Sequence, residues 1–154
     1  MKKLMMMAVG CALAFMIAGC GDSSSATPPA KSAAPVANTP QELGAMFGKA
    51  MVQQDKEALL KLCTAEAVSS KELSKLLKSF DDNGFKAKMK EMQEKNPVFS
   101  GEIGEPKDRD IEKYGEGVSI VQVTLTVDGN VSTGPVVVAK KVDGSWKVID
   151  YLGN

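Results

Sequence analysis

The apolar and polar positions from residue 39 to residue 54 follow the period of an α-helix. One apolar stripe recurs at spacings of three and four residues: Leu43, Met46, Phe47, Ala50 and Met51. Just before it, Thr39 is a helix-capping residue type, Pro40 suits the first helical position, and Glu42 completes a capping box. The pattern predicts a helix that begins at Thr39 and Pro40 and runs to about Gln54.

Helical spacing continues in three further segments, as far as Asn96-Pro97. Asp55 is predicted to cap a short second helix and Ser70 a third. The segment Asp81-Asp82-Asn83-Gly84 is predicted to be a turn or the cap of another helix. The apolar positions of these segments are Leu59, Leu60, Leu62 and Cys63, then Leu73, Leu76, Leu77 and Phe80, then Phe85, Met89 and Met92.

From Val98 onward the period changes to two, which is typical of β-strands. One strand face carries Val121, Val123, Leu125 and Val127. The dipeptides Asp128-Gly129 and Asp143-Gly144 favour hairpin turns, so Val118 to Tyr151 is predicted to be a three-stranded antiparallel meander. Val98 to Ile103 is predicted to add a fourth strand. The fold class is therefore α+β, with N-terminal helices packed on a curved antiparallel sheet.

The turn at Asp143-Gly144 also predicts the register of the last hairpin. A two-residue loop at Asp143-Gly144 sets Lys140 opposite Lys147 and Val138 opposite Ile149. The two lysines repel each other unless they are solvated, so we expect this tip to project into water. Farther down, both hairpin faces are apolar. We expect the helices to cover one face. The other face is expected to be covered by an edge of the same domain or by a second subunit, which would form a homodimer through the sheet.

The first 20 residues have a different organisation, with Lys2 and Lys3 before an apolar run from Leu4 to Ile17. The sequence Ile17-Ala18-Gly19-Cys20 that closes it resembles the lipobox of bacterial lipoproteins. The resemblance implies cleavage before Cys20, a diacylglycerol thioether on its sulfur, and an acyl chain such as palmitate on the freed amine. The alternatives are an ordinary secretory signal and an uncleaved anchor, but the run of about 14 residues is shorter than the roughly 20 that span a bilayer.

This interpretation divides the chain into a lipoprotein signal peptide at 1–19, a lipidated cysteine with a disordered tether at 20–38, and an α+β domain at 39–154. The tether is rich in Ser, Ala and Pro and has too little apolar surface to order itself. The lipid bilayer is thus an expected partner, through acylated Cys20. Gly21 follows Cys20, and the sorting rule of enteric lipoproteins then favours the outer membrane, facing the periplasm, in a host that has one.

Composition excludes several function classes. The chain has 19 basic and 19 acidic residues, and loss of Lys2 and Lys3 with the signal leaves 17 against 19. With Arg109 as its single arginine, the chain is not expected to bind nucleic acid. It has no histidine, which removes most zinc sites and the usual catalytic triads, so neither a metal nor a cofactor is expected.

The three cysteines reduce to one free thiol. Cys11 leaves with the signal, Cys20 is lipidated, and Cys63 remains in an apolar helical stretch. Without a histidine to act as base, we expect Cys63 to be a small buried hydrophobe rather than a nucleophile.

Two short patterns resemble metal sites and have simpler explanations. Asp108, Asp110 and Glu112 alternate like calcium ligands, but the required glycine and final glutamate are missing, so a solvated loop between strands is predicted. Met89 and Met92 are one turn apart, as in a copper(I) pair, but core packing explains them better.

The chain opens its predicted fold with a Thr-Pro-x-Glu helix and closes it with a long meander that contains Gly144-Ser145-Trp146-Lys147-Val148. This organisation resembles that of small lipoproteins with a nuclear transport factor 2-like, or cystatin-like, domain of unknown function. The resemblance covers about Thr39 to Tyr151. It implies a conical sheet around a pocket closed by the helices. Enzymes of that fold use a carboxylate, a tyrosine or a histidine in the cone, while many members only bind.

Asp150 is the candidate acid, because strict alternation places it on the same face as Trp146 and Val148, and these three residues are the predicted pocket. A partly apolar pocket would raise the pKa of Asp150. The alternative is a strand-end carboxylate in water, since Tyr151 points to the opposite face and the sequence offers no matched partner.

The function expected from these observations is a membrane-anchored envelope lipoprotein that binds a small apolar ligand or a protein partner without catalysis. The alternative is an enzyme similar to ketosteroid isomerase or a dehydratase, in which Asp150 or another carboxylate of the cone removes a proton and Tyr114 or Tyr151 stabilises the oxyanion. A structural accessory of an envelope assembly is a third hypothesis.

Overall fold

The computed structural model describes residues 36–153. The signal peptide, Cys20 and most of the predicted tether lie outside these residues. Within the described residues, five helices come first: α1 (Pro40–Gln53), α2 (Lys56–Leu62), α3 (Ala65–Ser69), α4 (Lys71–Ser79) and α5 (Asn83–Glu94). A sixth helix of seven residues, α6 (Asp108–Tyr114), lies between the first two strands.

Side-chain caps define where the first helices begin. The Thr39 hydroxyl accepts a hydrogen bond from the Glu42 N–H at 3.1 Å, and Asp55 and Ser70 cap α2 and α4 in the same way, as predicted. Asp82 caps α5. The sequence analysis missed α3, a helix of only five residues.

The sheet has four antiparallel strands in chain order: β1 (Val98–Gly104), β2 (Val118–Val127), β3 (Asn130–Val142) and β4 (Ser145–Gly153). The meander, its two Asp-Gly turns and the fourth strand are confirmed. The sheet does not close on itself, and the α+β class with helices preceding the sheet is confirmed.

A pair of glycines one turn apart brings α1 against the sheet. An added Cβ on Gly44 would lie 2.9 Å from the Gly101 Cα, and one on Gly48 would lie 2.7 Å from Val123 Cγ1. Larger residues at either position would push the helix away. The core forms along this contact and buries Leu43, Phe47, Leu59, Leu62, Leu73, Val121, Val123, Val137, Ala139 and Val148.

The register of β3 and β4 follows the prediction at the tip and departs from it farther down. Lys140 pairs with Lys147, but Val138 pairs with Asp150 instead of Ile149. Strand β4 therefore contains one extra residue at this point, a β-bulge. Cross-strand partners share a face, so the bulge turns Asp150 and Tyr151 to the sides opposite those predicted by strict alternation from Val148, until a second shift at Leu152 restores the original phase for Gly153.

The lysines of the hairpin tip avoid each other by binding different carbonyls. Lys140 Nζ donates to the Tyr114 carbonyl at 3.1 Å, and Lys147 Nζ donates to the Lys61 carbonyl at 2.6 Å. Both lysines are half-buried, so this part of the hairpin packs against the helices. The expectation that the two lysines project fully into water is therefore wrong.

Helix α6 covers part of the sheet face that points away from α1. It packs against β2, and its last residue, Tyr114, bonds to β4. Val138, on this face, is fully buried. The segment Asp108–Glu112 lies between two strands and is solvated, as predicted, but it forms a helix instead of a loop. The domain therefore supplies some of the cover from within. The homodimer through the sheet stays a prediction.

Candidate functional site

A cavity of about 370 Å³ lies between the helices and the sheet. Helices α1, α4 and α5 line it with Met51, Val52, Leu76, Phe85, Met89 and Met92. The sheet lines it with Phe99, Val123, Leu125, Ser132, Thr133, Gly134, Pro135 and Tyr151. We call this space the inner cavity. Its volume is within the range of sites that hold small molecules, and its lining is mostly apolar with a few polar groups, as such sites require.

Tyr151 supplies the aromatic hydroxyl of the inner cavity. Its ring stacks on Phe47 with 5.8 Å between centroids. Burial, with a smaller contribution from the negative charge of Glu72, raises the pKa of Tyr151 above its usual value. The hydroxyl is therefore a neutral donor and acceptor at neutral pH. Among residues 36–153, no carboxylate lines this cavity.

A second, more open space of about 540 Å³ lies on the other side of the inner cavity wall. We call it the outer groove. Its lining includes Lys49 and Gln53 of α1 and Gln93 and Asn96 at the end of α5. Val52 and Phe99 line both spaces. Gln93 Nε2 donates to the Val52 carbonyl at 2.6 Å, which ties the end of α5 to the last turn of α1.

Asp150 lies outside both spaces. Because of the bulge it shares a face with Val138, whereas Val148 pairs with Ala139 and Trp146 with Lys141 on the helix-facing side. The prediction that Asp150 shares a face with Trp146 and Val148 is wrong. The structure therefore does not bring the three predicted pocket residues together.

Asp150 has partners that the sequence did not reveal. The Tyr114 hydroxyl donates to Asp150 Oδ2 at 2.5 Å, the Tyr151 N–H donates to Oδ1 at 2.8 Å, and Lys113 Nζ lies 3.2 Å from Oδ2. Burial alone would raise the pKa of Asp150, but these hydrogen bonds and the lysine charge outweigh it and hold the pKa below its ordinary value. The raised pKa expected of a general base is absent from this carboxyl.

Tyr114 and Lys113 complete this cluster at the end of α6. Lys113 Nζ donates to the Tyr114 hydroxyl at 2.6 Å. Burial, and then the bond to Asp150, raise the pKa of Tyr114, while the bonds to Tyr114 and Asp150 raise the pKa of Lys113. All three groups are satisfied by one another, so the cluster fastens α6 to β4.

Two other predicted site residues are structural in this fold. Val148 is fully buried in the core, and the backbone N–H of Trp146 donates to the Ala37 carbonyl at 2.9 Å. Neither lines the inner cavity or the outer groove. Cys63 packs beside Val148, and burial raises the pKa of its thiol to about 12, which leaves it protonated.

The residues that line the inner cavity were not predicted from the sequence as a site, although one sequence pattern pointed to some of them. The spacing of Phe85, Met89 and Met92 indicated one apolar helix face, and that face turns toward the cavity. Assigning Tyr151 to the face opposite Asp150 was also right. What the pattern did not contain is the gap left between α5 and the sheet.

The chain matches no protein-family model, no curated protein and no solved structure. Within residues 36–153, no helix combines the length and the hydropathy needed to cross a membrane.

Proposed function

We propose that this protein is an envelope lipoprotein whose nuclear transport factor 2-like, or cystatin-like, domain binds a small apolar ligand between its helices and its sheet. The inner cavity is the observation that carries the proposal, because folded domains seldom leave a space of this size beside an apolar wall unless something occupies it. The order of helices and meander supports the fold assignment.

The lining chemistry favours a flexible, apolar ligand. Met51, Met89 and Met92 contribute unbranched thioether side chains, which adapt to ligands of irregular shape. Ser132 and Thr133 contribute hydroxyls on the sheet side. This arrangement provides burial with few directional contacts, as expected of a carrier or sensor of apolar molecules.

The contacts of Asp150 do not support the isomerase-like alternative. Its carboxyl is on the face away from the inner cavity and is bonded to Tyr114. A proton abstraction in the cavity would need a base among the lining residues, and Tyr151 with its raised pKa is protonated at neutral pH.

Fluorescence titration with N-phenyl-1-naphthylamine, a neutral apolar probe, tests the binding proposal. The protein is the full mature chain carrying Cys20→Ser, so that it stays in solution. Ser132 lines the inner cavity and is solvent-exposed, so Ser132→Trp should obstruct the cavity without disturbing the core.

We expect saturable probe binding, and we expect Ser132→Trp to raise the Kd of the probe at least about tenfold, because the indole ring would obstruct the cavity. Val131→Trp is the matched control, because Val131 is the preceding residue on β3, is 65% exposed, and lines neither space. Thermal unfolding verifies that both variants fold. Absence of saturable binding, or equal binding by both variants, would overturn the proposal.

The anchor is tested separately in the host cell. Cys20→Ser should release the protein from the membrane fraction, and mass spectrometry of the wild-type protein should find an acylated N-terminal cysteine. Cys63→Ser should remain membrane-bound, because Cys63 lies inside the fold. An unmodified N-terminus on freely soluble wild-type protein would refute this part of the proposal.

A further inference from the structure

The inner cavity and the outer groove share part of their lining. Val52 and Phe99 are the two residues that line both spaces. Val52 is fixed in α1 and is 1% exposed, whereas Phe99 lies on the edge strand β1 and is half-buried. The two spaces therefore adjoin each other at Val52 and Phe99, and Phe99 is the more exposed of these two residues.

The Phe99 ring lies beside Gly48 of α1, which has no side chain. A Cβ on Gly48 would lie 2.9 Å from Phe99 Cδ1, so the ring rests directly against the backbone of α1. Gly48 is thus the position of α1 that makes room for this ring. Phe99 accordingly lies between the two spaces, against α1.

The two spaces differ in polarity. The inner cavity has an apolar lining with three hydroxyl-bearing residues, while the outer groove adds Lys49, Gln53, Gln93 and Asn96. Lys49 is the one charged residue among the lining residues of both spaces, and it takes part in none of the ion pairs found within residues 36–153. A cation at the open end of an apolar site complements a ligand with an anion at one end.

We propose that the inner cavity and the outer groove form one site for a single-chain amphiphile, with the alkyl chain in the inner cavity and an anionic head group at Lys49. This inference rests on the proposed function and adds the class of the ligand. A fatty acid and a phosphate-headed single-chain lipid share this chemistry. Gln53 and Asn96 flank the head group as hydrogen-bonding side chains.

Competition against N-phenyl-1-naphthylamine tests the inference on the full mature chain carrying Cys20→Ser. The competitors have the same alkyl chain and different heads: dodecanoate, dodecyl phosphate, dodecanol and dodecyltrimethylammonium. We expect the two anionic competitors to bind at least about fivefold more tightly than the neutral and cationic ones, on the order of one partly solvated ion pair. Whichever of the two anions binds more tightly identifies the source of the head group as carboxylate or phosphate.

Lys49→Gln should raise the Kd of the anionic competitors by about fivefold and leave that of dodecanol unchanged. Lys56→Gln is the matched control, because Lys56 is an exposed lysine at the start of α2 that lines neither space. Both are exposed substitutions, and thermal unfolding confirms the fold of each.

The outcomes separate this inference from the proposed function. If all four competitors displace the probe equally, or if Lys49→Gln behaves like Lys56→Gln, the head-group assignment is wrong while apolar binding stands. Preference for dodecyltrimethylammonium would also overturn it. If the probe itself does not bind, the proposed function fails first.

Discussion

The Tyr114 hydroxyl donates a hydrogen bond of 2.5 Å to Asp150 Oδ2 and thereby fastens helix α6 to strand β4. The same carboxyl accepts from the Tyr151 N–H through its other oxygen. Lys140 reinforces the attachment by donating to the Tyr114 carbonyl. These contacts hold α6 over the face of the sheet on which Val138 is buried.

Asp150→Asn should lower the free energy of unfolding at neutral pH by about 1 to 2 kcal/mol, because hydrogen bonds to a charged acceptor are replaced by weaker ones. The folded-state pKa of Asp150 is lowered, so its contribution is present above the ordinary carboxyl pKa and is lost as the pH falls through the lowered value. Urea unfolding of both proteins from neutral pH to below about pH 4 measures this difference.

The difference between the two proteins should shrink at the acid end of that range. Tyr114→Phe should reproduce part of the loss at neutral pH, since it removes the closest donor. Asp81→Asn is the control, as Asp81 is an exposed aspartate in the turn before α5. A stability difference for Asp150→Asn that is constant across the pH range would contradict the assignment of charge to this carboxyl.

Gly101→Ala should destabilise the protein by about 1 to 3 kcal/mol, the usual cost of overpacking. A Cβ at this position would lie 2.6 Å from the Gln41 carbonyl oxygen and 3.0 Å from the Gln41 Cα, so the backbone of α1 would have to move. The midpoint and slope of denaturant unfolding measure the loss.

Gly104→Ala is the matched control on the same strand. The nearest atom to its added Cβ is 3.8 Å away, an ordinary contact with Ile120. Alanine there should leave stability unchanged or slightly raised, because it restricts the unfolded chain. Equal effects at the two glycines would show that α1 does not lie as close to β1 as described.

Local signals predicted most of the framework. The Thr39 cap and the Asp143-Gly144 turn act over three or four residues, and both elements form where they were expected. The pairing of Lys140 with Lys147 follows from that turn alone. Such features need no knowledge of distant parts of the chain.

Features decided by distant contacts were missed. The bulge at Ile149 changes the face of Asp150, and nothing in the alternating pattern of β4 marks it. Helix α6 is seven residues long and has no buried residue, so its apolar pattern is too weak to recognise. The inner cavity depends on how α5 packs against the sheet, although the apolar residues Phe85 and Met89 that line it were identified.

Cys63 should react far more slowly with 5,5′-dithiobis(2-nitrobenzoate) in the folded protein than in denaturant. Burial raises the pKa of its thiol to about 12. Only the thiolate is nucleophilic, and an exposed thiol has a pKa near 8.5. At about pH 8 the thiolate fraction of Cys63 is therefore more than about 100-fold lower than that of an exposed thiol. In the mature chain carrying Cys20→Ser, Cys63 is the single thiol.

The nearby charge of Lys147 opposes this shift, so Lys147→Gln should not accelerate the reaction, whereas any change that opens the contact with Val148 should. The raised pKa also means that the folded state retains a proton which the unfolded state releases. Stability should accordingly decline as the pH rises above about 8.5. Complete labelling of native protein within the time needed for the denatured sample would show that Cys63 is an accessible, ionisable thiol instead of a packed side chain.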